Sequence, residues 1–81
     1  MSTLRVLSRR GDERHVWDPD AISGGDPEAL AAVREAERIF AAELARGSSA
    51  FRVQKGQPPI PVETFDPQAE QIILVPRVIG G

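Results

Sequence analysis

Ile72-Ile73-Leu74-Val75-Pro76-Arg77-Val78-Ile79-Gly80-Gly81 is the stretch on which the reading of this chain turns. Ile72 to Val75 are apolar without interruption and mostly β-branched, the signature of a buried strand. Pro76 has no N–H to give to a sheet ladder, so the strand is expected to stop there. A short tail closing on two glycines follows, and with Gly81 as the chain end its carboxylate is the least hindered group in the molecule. The remaining residues are read as a small scaffold that presents this tail.

At 81 residues the chain is one domain near the lower limit for a self-sufficient core, too small for a deep multilayer active site. An apolar content of 41% suits a globular chain. The absence of cysteine excludes a disulfide framework, a thiolate metal site and a cysteine nucleophile. No run approaches the ~18 apolar residues of a membrane span, and Met1-Ser2-Thr3-Leu4-Arg5 lacks the apolar core of a signal peptide. A cytoplasmic protein is expected. The net charge of −2 argues against nucleic acid or an anionic membrane as partner.

Outward from the tail, Leu4-Arg5-Val6-Leu7-Ser8 reads as a second apolar-rich strand. Arg9-Arg10-Gly11-Asp12 turns the chain into Glu13-Arg14-His15-Val16-Trp17, a strand that alternates and so is half buried. Trp17 and Val16 point to opposite faces, so only one of them can anchor the core. Residues 18–25 carry turn and breaker signals and are expected to form a loop. Asp26 is the expected N-cap, Pro27 the first helical residue and Glu28 a partner for the positive end of the helix dipole. The helix should run from Pro27 to about Arg46, ending at a left-handed Gly47. Ala29, Leu30, Val33, Ala36, Phe40 and Leu44 form its apolar stripe. Ala50-Phe51-Arg52-Val53-Gln54 is a further strand, with Phe51 and Val53 expected to face the helix. Residues 55–61 read as a stiff proline-rich loop, and Val62-Glu63-Thr64-Phe65 as a short extra strand, with Phe65 lidding the core. The most continuously apolar strands are the first and last, which belongs to the middle of a mixed sheet, so these two should lie side by side beneath the helix.

Strand, strand, helix, strand, strand with a Gly-Gly end resembles the β-grasp, or ubiquitin-like, fold. The class implied is α+β, ββαββ, with a mixed sheet and one helix across one face, residues 1–76 forming the domain and residues 77–81 a flexible tail. The tail itself resembles that of prokaryotic ubiquitin-like modifiers and of the group formed by the molybdopterin synthase small subunit and the thiamine sulfur carriers. In the synthase subunit an apolar strand leads into Pro-Pro-Val-x-Gly-Gly. Pro76, Val78, Gly80 and Gly81 match that pattern and Arg77 departs from it, resembling instead the arginine in the tail of ubiquitin. The tail is also similar to a tailed-phage tail-assembly family whose β-grasp domain closes with Ile-Val-Pro-Arg-Val-x-Gly and then continues. The specific likeness covers about ten residues, and the long helix and the Pro58-Pro59 loop depart from the compact carriers.

What the resemblance implies is a substrate, not an enzyme. The Gly81 carboxylate would be joined to AMP by an adenylating activating enzyme that uses ATP, and a thiolate or sulfide would then displace AMP. Gly80 and Gly81, lacking Cβ atoms, suit a narrow channel. Pro76, Arg77 and Val78 would contact the activating enzyme, Arg77 meeting acidic groups at the channel mouth. The carrier would need no cofactor and no metal of its own, and would act as a monomer. The leading expectation is a protein modifier conjugated to a target protein. The first alternative is a sulfur carrier bearing a terminal thiocarboxylate for a sulfur-transfer partner. A second is a structural tail-assembly domain in which Gly81 does no chemistry. Lys55, the single lysine, is the side-chain amine through which such a modifier could be linked to itself, and a modifier used singly is the simpler expectation.

Other conspicuous residues have ordinary readings. His15 has no second metal ligand beside it, Arg10-Gly11-Asp12 is a hairpin turn, and the Glu/Arg face of the helix is a solvated surface. An exposed Trp17, Val16 or Phe51 would carry more weight, because ubiquitin-like proteins are recognised through an apolar patch on the sheet.

Overall fold

The computed structural model describes residues 1–77. Along the chain the elements are β1 (Ser2–Ser8), β2 (Gly11–Trp17), α1 (Pro19–Ser23), α2 (Pro27–Ala45), β3 (Ser49–Val53), β4 (Ile60–Val62) and β5 (Gln71–Val75). The sheet runs β2-β1-β5-β3-β4. β1 and β5 lie parallel at its centre, with Leu4 opposite Ile72 and Val6 opposite Leu74, and the other pairings are antiparallel. The domain is therefore α+β with a mixed sheet and one main helix packed on it, compatible with the β-grasp expectation, and the two most apolar strands are neighbours as their composition requires.

Burial separates the two sheet faces. Leu4, Trp17, Ala50, Ile72 and Leu74 point to the helix and meet Ala36 and Phe40 of α2, with Ala69 closing the cluster. Trp17 is the anchor of β2, at 2% exposed, while Val16 on the opposite face is 47% exposed. The buried residues of α2 are Ala29, Ala36 and Phe40, while Ala32, Val33, Ile39 and Leu44 pack at the margin. Leu30, assigned to the stripe from its spacing, is half buried and lies outside that cluster.

Phe51 and Val53 do not face the helix, contrary to expectation. Ala50 pairs with Leu74 and Arg52 with Ile72, so these two share the inner face, and Phe51 and Val53 point to the outer one. The reason is volume. In the core cluster α2 presents Ala36 beside Phe40, and the sheet answers with a small residue, Ala50, which is 3% exposed. Arg52 continues that face toward the 63–70 loop, where it approaches Asp66 at 3.8 Å.

Capping accounts for both helices. Asp26 accepts from the Glu28 N–H at 3.3 Å and Pro27 opens α2. At the other end the Gly47 N–H donates to Leu44 O and the Ser48 N–H to Glu43 O. This closes a Schellman motif in which Gly47 takes φ +96. The span expected to be loop contains α1, one short helix with the same punctuation: Asp18 caps it, Pro19 opens it, and Gly25 at φ +78 ends it with its own Schellman pair. Ile22 of α1 packs on the core. The extra strand lies at Ile60–Val62, earlier than the 62–65 span expected, because Ile60, Pro61 and Val62 are the residues in register with Arg52, Phe51 and Ala50.

Residues 63–70 close the lower half of the inner face. Phe65 lies 5.4 Å from Trp17 and 5.6 Å from Phe40 between ring centroids, and the Trp17 Nε1–H donates to Pro67 O at 2.8 Å. Phe65 is the lid its place before Asp66-Pro67 implies.

Candidate functional site

β5 is the central strand that leads into the residues expected to act. It ends at Val75, paired with Ser49 at the start of β3. Pro76 then breaks the ladder, and Pro76 and Arg77 are both exposed at this pole of the sheet. Of the residues after β5 that are expected to act, these two are described. Val78, Gly80 and Gly81 lie outside the described residues.

Beside Pro76 and Arg77 opens a groove of about 690 Å³ between the end of β1 and the last turns of α2. Val6, Ile39 and Ala42 give it an apolar lining, and Arg38, Glu43 and Arg46 charge it. Two of the arginines are already engaged. Arg38 Nε donates to Glu35 at 3.0 Å and Arg46 Nη1 to Glu43 at 3.0 Å. The Arg38 contact holds the Glu35 carboxyl below the usual carboxylate range. Arg77 folds back on the domain: a Cβ built on Gly47 would stand 3.2 Å from Arg77 Cδ and 3.8 Å from its Nη1. The stem of Arg77 thus occupies the space a side chain at Gly47 would need.

Lys55 is exposed in the turn after β3, its N–H donating to Glu70 Oε2 at 3.3 Å. Val53 pairs with Gln71, the first residue of β5, so Lys55 and Pro76 lie at opposite ends of the sheet. Among the described residues, the acceptor candidate and the exit from β5 lie apart.

The outer face of the sheet is a second surface, and it divides in two. Over β5, β3 and β4 it is mostly apolar: Ile73, Val75, Phe51, Val53 and Pro61 alternate with the residues that face the core, with Ser49 and Gln71 at the strand ends. Over β1 and β2 it is charged. Asp12 accepts from Arg5 Nε at 3.1 Å and from Arg14 Nε at 3.3 Å, and the two guanidinium groups, Arg14 first, hold its carboxyl below the ordinary value. Sequence reasoning missed both the groove and the continuity of the apolar half. The signal for the latter was present in the large residues at 51 and 53, but which face they take depends on the helix.

Among the described residues there is no cluster of histidine or acidic side chains able to hold a metal ion, and no helix long and apolar enough to cross a membrane. His15 faces inward on β2, its Nε2 3.9 Å from Glu13. Comparison with protein-family models, with curated proteins and with solved structures finds no match to this chain.

Proposed function

We propose that this domain is a ubiquitin-like protein whose C-terminal Gly81 carboxylate is adenylated by a partner enzyme and passed to a protein acceptor. The observation that carries the reading is the exit of the chain. The central strand β5 ends at Pro76, and exposed residues lead out of the sheet toward Gly80-Gly81. A rigid central strand fixes where the tail departs, and paired glycines let a chain end enter a narrow channel. In the first step the carboxylate oxygen attacks the α-phosphorus of ATP, giving an acyl-AMP and pyrophosphate. In the second an enzyme thiolate displaces AMP, and in the third an amine of the acceptor protein displaces that thiolate and forms an amide. The domain contributes presentation, and the activating enzyme contributes catalysis and ATP. A sulfur carrier shares the activation step and differs in the acceptor, a sulfide that displaces AMP to give a thiocarboxylate.

The test is intact-mass spectrometry of the protein with ATP and a candidate activating enzyme. An acyl-adenylate or enzyme thioester that disappears on deletion of Gly81 supports the reading, and adding a sulfur source separates thiocarboxylate from conjugate. The starting spectrum of the natural protein also reads whether it ends at Gly81. Failure to form an adenylate with any such enzyme refutes the reading.

One observation favours a structural role instead, as in the tail-assembly family. The apolar half of the outer face, centred on Phe51 and Ile73, suits a standing contact with another protein. In that case Gly81 does no chemistry and its deletion changes no assembly.

A further inference from the structure

We propose that Arg77 is a latch that holds the first residues after β5 against the C-terminal end of α2, and that an acidic partner releases it. Three features meet at this point. Gly47 has no side chain and sits at φ +96, so its surface is bare backbone, and the aliphatic stem of Arg77 lies across it. The last turn of α2 carries no basic residue of its own, although its C-terminal end is the negative pole of the helix dipole. Arg46, the residue at that end, turns its guanidinium to Glu43. Arg77, with Nη1 3.8 Å from the position a Gly47 Cβ would take, supplies a second cation there. Gly47 thus serves two purposes: it ends the helix and leaves room for the latch.

The consequence for tail presentation rests on the activation reading. Release of Arg77 would add Pro76 and Arg77 to the stretch that can leave the domain, two residues or at most ~7 Å of reach. A carboxylate at the mouth of a partner channel would compete for the same guanidinium, as a charge-assisted pair is stronger than contact with a helix end. Binding would then free Pro76 and Arg77 from the domain. Arg77 is a positioning residue in this scheme and touches no reacting atom.

The experiment is ¹⁵N relaxation on the whole protein, reading the Arg77 backbone amide and its Nε–H. The parent should show an order parameter at Arg77 near that of β5, about 0.85, falling below about 0.6 in Arg77→Ala, with Val75 unchanged. Gly47→Ala, which places a methyl 3.2 Å from Arg77 Cδ, should lower order at Arg77 in the same way. Should Gly47→Ala fail to fold, Arg77→Ala decides the matter, since its Tm should stay within about 4 °C of the parent while order is lost. Adding a short polyglutamate peptide to the parent should shift the Arg77 Nε–H and loosen its backbone. A disordered Arg77 in the parent, an Arg77→Ala backbone as ordered as the parent, or no response to the acidic peptide overturns the proposal. None of these readouts uses ATP or an activating enzyme, so an intact latch with no adenylate would refute the activation reading alone.

Discussion

Replacing Trp17 by phenylalanine tests whether the 63–70 loop is held to the sheet by a single side chain. Trp17 is almost fully buried, and its Nε1–H donates to Pro67 O at 2.8 Å across fifty residues of sequence. Phenylalanine keeps a ring against Phe65 and loses the hydrogen bond and two ring carbons. The bond is worth ~1 kcal/mol net, at the lower end because Pro67 is exposed and water can replace the donor. Two buried carbons contribute roughly 1.6 kcal/mol at about 0.8 each. The expected loss is therefore ~2–3 kcal/mol, a large share of the ~4–12 kcal/mol available to a domain of this size. It corresponds to a fall in Tm of roughly 10–20 °C. Because Trp17 is the only tryptophan, unfolding should be followed by far-UV circular dichroism in urea. A loss below about 0.5 kcal/mol would refute the reasoning, since the indole would then be neither filling the core nor tying down the loop.

Other outcomes follow from the same structure. Leu74→Ala, fully buried under α2, should cost ~3–5 kcal/mol, whereas Phe51→Ala on the outer face should cost less than half of that despite the larger side chain removed; equal losses in urea titrations would refute the assignment of the faces. Asp26→Ala removes the N-cap of α2 and should cost ~1 kcal/mol, read by the same titration, with Asp26→Gly losing less. The lowered pKa values of Asp12 and Glu35 give a stabilising contribution that is present above the ordinary carboxylate values of 3.8 and 4.5 and is lost as pH falls through the lower folded values. Both groups are exposed, so the contribution is small and screened. Thermal melts below pH 4.5 should show a steeper decline for the parent than for the Asp12→Asn, Glu35→Gln double variant, and high salt should remove the difference.

The legible parts of this fold were those in which one residue type does one physical job. Asp26, Pro27 and Gly47 bound α2 because a cap, a fixed φ and a positive φ are each properties of single residues. The unbroken run Ile72–Val75 identified the central strand: Ile72 and Leu74 serve the core, while Ile73 and Val75 are half buried among their neighbours on the outer face. The failures came where the answer lay in a partner. Phe51 and Val53 are larger than Ala50, and size alone suggests that they should be inside. The helix brings Ala36 and Phe40 to the core, however, and the small residue is the one that fits. α1 was missed although Asp18, Pro19 and Gly25 punctuate it as fully as their counterparts punctuate α2. Five residues are too few for a helical period to appear between the signals, and the helix is held by Ile22 reaching the core. At the candidate site Pro76 and Arg77 were legible as the exit from the sheet. The docking of Arg77 over Gly47 was not, since it joins residues thirty positions apart through the absence of a side chain.

The sheet edges narrow where a partner can act. A strand added beside β4 would meet Pro61 within the strand and Pro58 and Pro59 just before it, none of which can donate to a ladder. A strand added beside β2 would lie along Asp12, Glu13 and Arg14, a charged edge of the kind that discourages pairing. Both edges are blunted, one by missing donors and one by charge, so sheet extension is a poor route to association. Two surfaces remain: the apolar half of the outer face around Phe51 and Ile73, and the pole where β5 delivers Pro76 and Arg77 beside the groove. They test different readings. Phe51→Lys disturbs the face and leaves the pole intact, and deletion of Gly81 does the reverse. A binding partner lost with Phe51→Lys and kept after Gly81 is deleted would point to a structural component. Loss of adenylate formation on Gly81 deletion, with Phe51→Lys still activated, would point to the carrier.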